Sequence, residues 1–238
     1  MATHLAQSAS TPRMNLAPPP LCGSWYACFS CAVAPQVFPQ STQEIGVDVG
    51  LDSFAVLSDG TVIENPRWYR KAQAKLRQAQ RRVARRKKGS QRRRKAVAVL
   101  QKIHEHVAHQ RKDFQHQEAC KLVQRYGVIA VEDLTVKGLA GGMLAKSVQD
   151  AGCGGFLQIL AYKAESAGRK LFAVDPRGTS QTCVCGAKVP KRLADREHVC
   201  TACGWMASRD HVSGQVILQR ARIVPSSANV DEVMPCVA

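Results

Sequence analysis

The sequence predicts an α/β fold built around one mixed β-sheet, carrying a basic helical element and a small cysteine-rich appendage. Three observations lead there. Short apolar runs bounded by turn residues alternate with longer stretches of helical periodicity. Two of the runs that read as buried strands, IGVDVG at 45–50 and VIAVEDL at 128–134, each contain an acid. Four cysteines gather into two close pairs between 183 and 203. At 238 residues and 45% hydrophobic content, the chain can enclose one sizeable domain with a small appendage.

Residues 1–20 are rich in Ser, Pro and Ala, lack the apolar core of a secretory signal, and are expected to be disordered. The segment 21–43 is expected to hold one entering strand at 24–33 (SWYACFSCAV), in which Cys28 and Cys31 pack rather than ligate. Three short strands follow. They are IGVDVG, FAVL (54–57) and TVIE (61–64), with Asp59-Gly60 as the hairpin turn. Ala72, Leu76, Ala79 and Val83 then recur at helical spacing in a thin apolar seam, and Gly89-Ser90 breaks that helix. A second helix is expected over 91–125, with Leu100, Ile103, Val107 and Phe114 on one face. Together they predict a basic helical hairpin over 66–125. VIAVE (128–132) is a fourth strand, followed by a Gly-rich loop (KGLAGGM), a helix over 145–167 and a fifth strand, LFAV, at 171–174. A cysteine-rich insert at 183–204, a last helix beginning near Asp210 within 205–223, and a loose tail at 224–238 complete the chain. Three strands, helix, strand, helix, strand, helix is the order of a ribonuclease-H-like α/β fold, which places the core at 44–182. No internal repeat occurs.

The formal net charge is +16. From Arg67 to Lys95 the chain has fifteen Lys and Arg and no acid, leaving the remainder close to neutral. Charge confined to one periodic segment points to a polyanion partner, nucleic acid above all, rather than to a solvated tail. The residues expected to make the phosphate contacts are Arg77, Arg81, Arg82, Arg85, Arg86, Lys87, Lys88, Arg92, Arg93 and Arg94. An aromatic content of 5% argues against a binder that works mainly by base stacking. No run of eighteen apolar residues exists, so no membrane span is expected; the expected location is cytoplasmic, nucleoid-associated when DNA-bound.

An ionised carboxylate beside a buried strand is expensive unless a cation or a hydrogen-bond network compensates it. Asp48, Glu132 and Asp210 therefore read together as a divalent-metal site. Singly, each has a plainer reading: a turn residue before Gly50, a cap or ion-pair partner, and a helix cap. Jointly, with the strand order above, all three reach one sheet edge. Two Mg²⁺ ions ~3.5–4 Å apart would there activate a water and neutralise the attacking and leaving oxygens of a phosphodiester. Asp52 and Asp133 point the other way by simple alternation and are left out.

Cys183-Val184-Cys185 and Cys200-Thr-Ala-Cys203 are fourteen residues apart. Four thiolates bind Zn²⁺ tetrahedrally and can fold a ribbon that has no core of its own. The second pair has the usual CxxC spacing, whereas the first is CxC, one residue short. His198 is near enough to replace a cysteine, and four free thiols are the remaining alternative.

The strings GVDVG, RRKKGSQRRRKA, HEHVAHQRKDF, VIAVEDL, LAYKAESAGRKLFAVDPRGTSQTC, HVCTACG and SRDH occur in this order. Over about residues 24–222 they resemble the C-terminal half of the TnpB (OrfB) proteins of bacterial insertion sequences, relatives of type V CRISPR nucleases. The resemblance implies a RuvC-like nuclease domain with an inserted zinc ribbon, cutting DNA under the direction of a guide RNA. It implies Asp48, Glu132 and Asp210 as Mg²⁺-binding catalytic acids and Cys183, Cys185, Cys200 and Cys203 as structural zinc ligands. DNA and guide RNA are the expected partners, with the basic helices against the guide–target duplex. Three departures stand out. Almost all of the family's N-terminal region is missing, with 21–43 as its remnant; the first knuckle is CxC; and Val212, Ser213 and Gly214 replace the Asn and small residues usual after the last acid. A nucleic-acid-binding relative that no longer cuts is the alternative reading.

Overall fold

Uninterrupted apolar stretches form strands when both faces of a sheet are to be covered. That is how this chain uses them in the computed structural model, which describes residues 14–16, 27–29, 38–134, 145–192 and 195–223. Strands β1 (Met14–Leu16) and β2 (Ala27–Phe29) pair antiparallel. β3 (Glu44–Val49), β4 (Ser53–Leu57) and β5 (Val62–Glu64) form an antiparallel meander. Helices α1 (Trp68–Ala84) and α2 (Gln91–Arg125) follow. Next come β6 (Val128–Glu132), α3 (Ala145–Ala151), α4 (Cys153–Ser166) and β7 (Lys170–Val174). A hairpin of β8 (Glu197–Val199) and β9 (Met206–Ser208) leads directly into α5 (Arg209–Ile223). The central sheet has the order β5-β4-β3-β6-β7, with β3, β6 and β7 parallel.

The chain divides into two compact units, residues 1–35 with 72–108, and residues 36–71 with 109–238. In the first, Leu76, Ala79, Ala96 and Val107 are buried, while the arginines and lysines around them face solvent. The second holds the sheet. On one face, Ile45, Val47, Phe54, Ile129 and Val131 pack with Ala119, Leu122 and Val123 of α2 and Phe156 and Leu160 of α4. Phe54 lies edge-on to both Phe114 and Phe156, with centroids 4.9 Å apart in each pair. Burying such a ring contributes roughly 2–3 kcal/mol. On the opposite face, Ala130 and Val174 pack against Ile217 and Ala221 of α5.

α5 sits unusually close to the sheet. A Cβ on Gly46 would stand 1.9 Å from the Gly214 carbonyl oxygen, and one on Gly214 would stand 3.1 Å from the Ser58 amide nitrogen. Gly214 is thus the small residue this crossing needs.

Two expectations need correction. Residues 1–20 are not uniformly unstructured, because Met14–Leu16 forms a ladder with Ala27–Phe29. The helix expected over 145–167 is two helices, broken at Gly152, whose φ of 66° ends α3. There the Gln115 side-chain amide donates to the Ala151 carbonyl (3.2 Å) and to the Gly152 carbonyl (2.9 Å), which also accepts the Phe156 N–H at 3.1 Å. The KGLAGGM loop, Cys31 and the tail after Ile223 lie outside the described residues, and nothing is described of the Cys28 side chain.

Candidate metal centre and cysteine ribbon

Parallel pairing of β3 with β6 matches Val47 to Val131, so Asp48 and Glu132 follow at the same level on neighbouring strands. Alternation then decides their direction. Gly46 faces α5 and Ala130 packs on it, so Asp48 and Glu132, two residues further along, turn to that same side. Asp210 lies in the first turn of α5, one helical turn before Gly214, the residue that touches Gly46. The close helix–sheet crossing therefore brings the third acid to the other two.

Their charges feel one another. Burial first, then the negative charges of Glu132 and Asp210, push the Asp48 carboxyl up to about 8, with Arg209 acting in the opposite sense. Glu132 is also raised by burial, although a hydrogen bond from Thr179 and the charge of Arg220 favour its ionised form. Hard carboxylate oxygens crowded at the end of a sheet, whose mutual repulsion a divalent cation would relieve, are a donor set suited to Mg²⁺. The three are more widely spread than a single-ion cage. Among the described residues, only the four cysteines bring all their donor atoms within 4.8 Å of one another. Asp52, excluded by alternation, is ion-paired with Arg67 and Arg196. Asp133 is exposed.

The four cysteines converge despite the short first knuckle. Cys183 Sγ is 3.6 Å from Cys203 Sγ, and Cys185 Sγ is 3.7 Å from Cys200 Sγ. A tight turn makes this work: Gly186, at φ 87°, donates its N–H to Cys183 O, and Cys183 N–H donates to Ala187 O. On the other side Gly204 N–H donates to Cys200 O, closing the second knuckle. Backbone amides of Cys203 and Ala202 bring the Cys200 thiol down to about 6, while burial pushes Cys183 up to about 12. Without a cation the cluster holds few thiolates, and a tetrahedral Zn²⁺ would let all four ionise. His198 is not needed as a ligand. It is fully buried in β8 and its Nδ1 lies 2.5 Å from Lys191 Nζ.

The basic residues expected to contact phosphates, from Arg77 to Arg94, all fall in the first unit and are exposed, except the half-buried Arg93. Four residues around the acids had no periodic or spacing signal in the sequence. Thr179 donates to Glu132, and Arg209 Nε donates to Asp210 Oδ1 at 3.0 Å. Lys191 donates to Ser180 O at 2.9 Å, and Arg220 donates to the carbonyls of Asp175 and Arg177. Only the adjacency of Arg209 to a candidate acid could have flagged one of them.

A mixed α/β sheet with acids gathered at its edge, and a four-cysteine ribbon leading into the helix that carries one of them, together restrict the class of protein to which the chain can belong. Comparison with known proteins narrows it. Residues 29–142 match the OrfB_IS605 family of probable transposases, and residues 154–217 match the Cas12f1-like TNB domain. A relative from Streptomyces pristinaespiralis named "Putative RNA-guided DNA endonuclease" is 33% identical over 90% of this chain and 53% of its own length. Another from Escherichia coli (strain K12), named "Putative RNA-guided DNA endonuclease InsQ", is 31% identical over 85% of this chain and 55% of its own length. The fold resembles that of Cas12f1 in a complex with sgRNA and target DNA, at a TM-score of 0.53 and 15% identity, covering 81% of this chain and 52% of that one. A Cas12f ternary complex gives a TM-score of 0.56 at 15% identity, covering 81% and 41%. Over most of its length the chain is thus similar to OrfB (TnpB) proteins, and it spans about half the length of the curated relatives it matches.

Proposed function

We propose that this chain is the nuclease portion of an RNA-guided DNA endonuclease, hydrolysing phosphodiesters at Asp48, Glu132 and Asp210 on a RuvC-like, ribonuclease-H-like core. The observation that carries the reading is the convergence of the three acids at the edge of the sheet, where burial and mutual repulsion raise Asp48 to about 8. Such a cluster is a poor structural device and a good cation site. Asp48, Glu132 and Asp210 would hold Mg²⁺. When bound, the ions supply charge neutralisation at the phosphate and a lowered pKa for the attacking water. Asp48, between the other two in charge, is the acid best placed to ligate with both.

The α1–α2 region would act as a basic hairpin against the guide–target duplex, and Cys183, Cys185, Cys200 and Cys203 would hold structural Zn²⁺. The domain plan that goes with this is a core at 44–182, the ribbon at 183–204 and a closing helical segment at 205–223. Among the described residues no helix is long and apolar enough to cross a membrane. DNA and guide RNA are the partners expected from the named relatives, and a bacterial nuclease of this kind would work in the cytoplasm.

The test is cleavage of labelled DNA by the purified chain with its element-derived RNA and Mg²⁺. Cleavage lost on Asp48→Ala supports the proposal. Binding without cleavage, or cleavage that survives Asp48→Ala, overturns it in favour of a binding-only relative.

A further inference from the structure

The cysteine ribbon is bracketed by two side chains that grip the candidate acids. Thr179, four residues before Cys183, is buried at 3% exposure in a short 3₁₀ turn, Thr179–Gln181. Its Oγ lies between two acceptors, Glu132 Oε1 and Pro176 O, the latter at 3.0 Å. A hydroxyl has one proton, so donating to Glu132 leaves the other contact without a donor and fixes the rotamer by position alone. Arg209, six residues after Cys203, opens α5. Its guanidinium donates to Asp210 Oδ1 at 3.0 Å and to the Asp195 carbonyl at 3.3 Å, and its own N–H donates to the Arg196 carbonyl at 2.8 Å. Asp195 and Arg196 belong to the segment between the cysteine pairs, so Arg209 ties Asp210 to the ribbon. Lys191, from the same segment, reaches Ser180 O next to Thr179 and His198 Nδ1 inside the ribbon, joining both ends.

We infer that the cysteine ribbon sets the geometry of the catalytic metal site, with Thr179 positioning Glu132 from its entry and Arg209 positioning Asp210 from its exit. This rests on the nuclease reading above. Neither residue needs to touch substrate. Each holds a carboxylate oxygen in one orientation, leaving its remaining lone pairs free for a cation, as outer partners of metal ligands do. A ribbon that has lost its own metal would loosen both grips at once, even though none of the four ribbon cysteines is hydrogen-bonded to either acid.

The test uses Mn²⁺ as the probe, followed by its electron paramagnetic resonance signal, on the zinc-loaded full chain without nucleic acid. Wild type should bind Mn²⁺ and Asp48→Ala should not. Thr179→Val and Arg209→Gln should each weaken Mn²⁺ binding roughly 10- to 100-fold, the usual cost of removing an outer partner. Thr179→Ser, which keeps the hydroxyl, should restore wild-type affinity. Cys200→Ser should weaken Mn²⁺ binding although it lies outside the acid cluster. Should the larger changes unfold the chain, Arg209→Lys decides. It keeps the charge but cannot reach Asp210 and Asp195 O together, so it should still bind Mn²⁺ less tightly. Wild-type affinity in Thr179→Val, Arg209→Gln or Arg209→Lys, with Asp48→Ala still negative, overturns the inference and leaves the nuclease reading standing. Equal, weak binding by wild type and Asp48→Ala removes the nuclease reading, and the inference with it.

Discussion

Replacing Asp48 with Asn should stabilise the protein in the absence of Mg²⁺, by an amount that grows as pH rises from about 4 to about 8. Burial and the charges of Glu132 and Asp210 raise this carboxyl from 3.8 to about 8. A group whose folded pKa lies above its unfolded value binds its proton more tightly when folded. Ionising it then costs folding free energy, so stability falls as pH climbs from about 4 and levels off above about 8. A shift of that size corresponds to at most about 6 kcal/mol at about 1.4 kcal/mol per pH unit. Water entry and the high effective dielectric of real sites reduce this to about 2–3 kcal/mol. Asn keeps the shape, cannot ionise, and removes the loss. The assay is urea denaturation of zinc-loaded protein, followed by far-ultraviolet circular dichroism, at pH 5.5 and 8.5 without added divalent cation. Wild type should be less stable at pH 8.5 than at 5.5, and Asp48→Asn should flatten that slope, gaining about 2 kcal/mol at pH 8.5. Added Mg²⁺ should stabilise wild type and leave the variant unmoved. A variant less stable than wild type at pH 8.5, or one with an unchanged slope, would refute the assignment of Asp48 as an uncompensated buried acid.

Other outcomes follow from the packing and the charge. Gly46→Ala should cost about 3 kcal/mol, at the upper end for overpacking, because the clashing atom 1.9 Å away is backbone and cannot swing aside; thermal unfolding would show it. Gly214→Ala should also destabilise, although Ala normally gains about 1 kcal/mol over Gly inside a helix, since its Cβ meets the β4 turn at 3.1 Å. Cys200→Ser should abolish stoichiometric zinc, measured by atomic absorption, and expose the β8–β9 amides to hydrogen exchange. Neutralising Arg81, Arg82, Arg85 and Arg86 together should weaken nucleic-acid binding and flatten the log–log salt dependence by up to about 3–4, checked by fluorescence anisotropy over a salt series.

Much of this was legible in the chain itself. Each strand of the central sheet was found within a residue or so, because strands covered on both faces announce themselves as continuous apolar runs between turn residues. The helix over 91–125 was found with the same bounds, and α5 begins one residue before Asp210. The acids stood out because their charge contradicts their surroundings. The break at Gly152 was missed, since glycines in a periodic stretch (Gly154 and Gly155 follow closely) give no sign of whether a distant side chain will cap a break. Here Gln115, thirty-seven residues earlier, does so. The strands of the ribbon, three residues each, are too short for alternation to show.

By itself the sequence determined which residues carry charge or thiol where packing disfavours them, and in what order the elements run. Those are properties of composition and period, and they survive in a linear string. Only the tertiary structure decided that Gly46 and Gly214 meet, that Asp210 thereby arrives beside Asp48 and Glu132, and that Thr179 and Arg209 take hold of two of them. Such contacts depend on how close one helix lies to one sheet, a separation that no local pattern encodes.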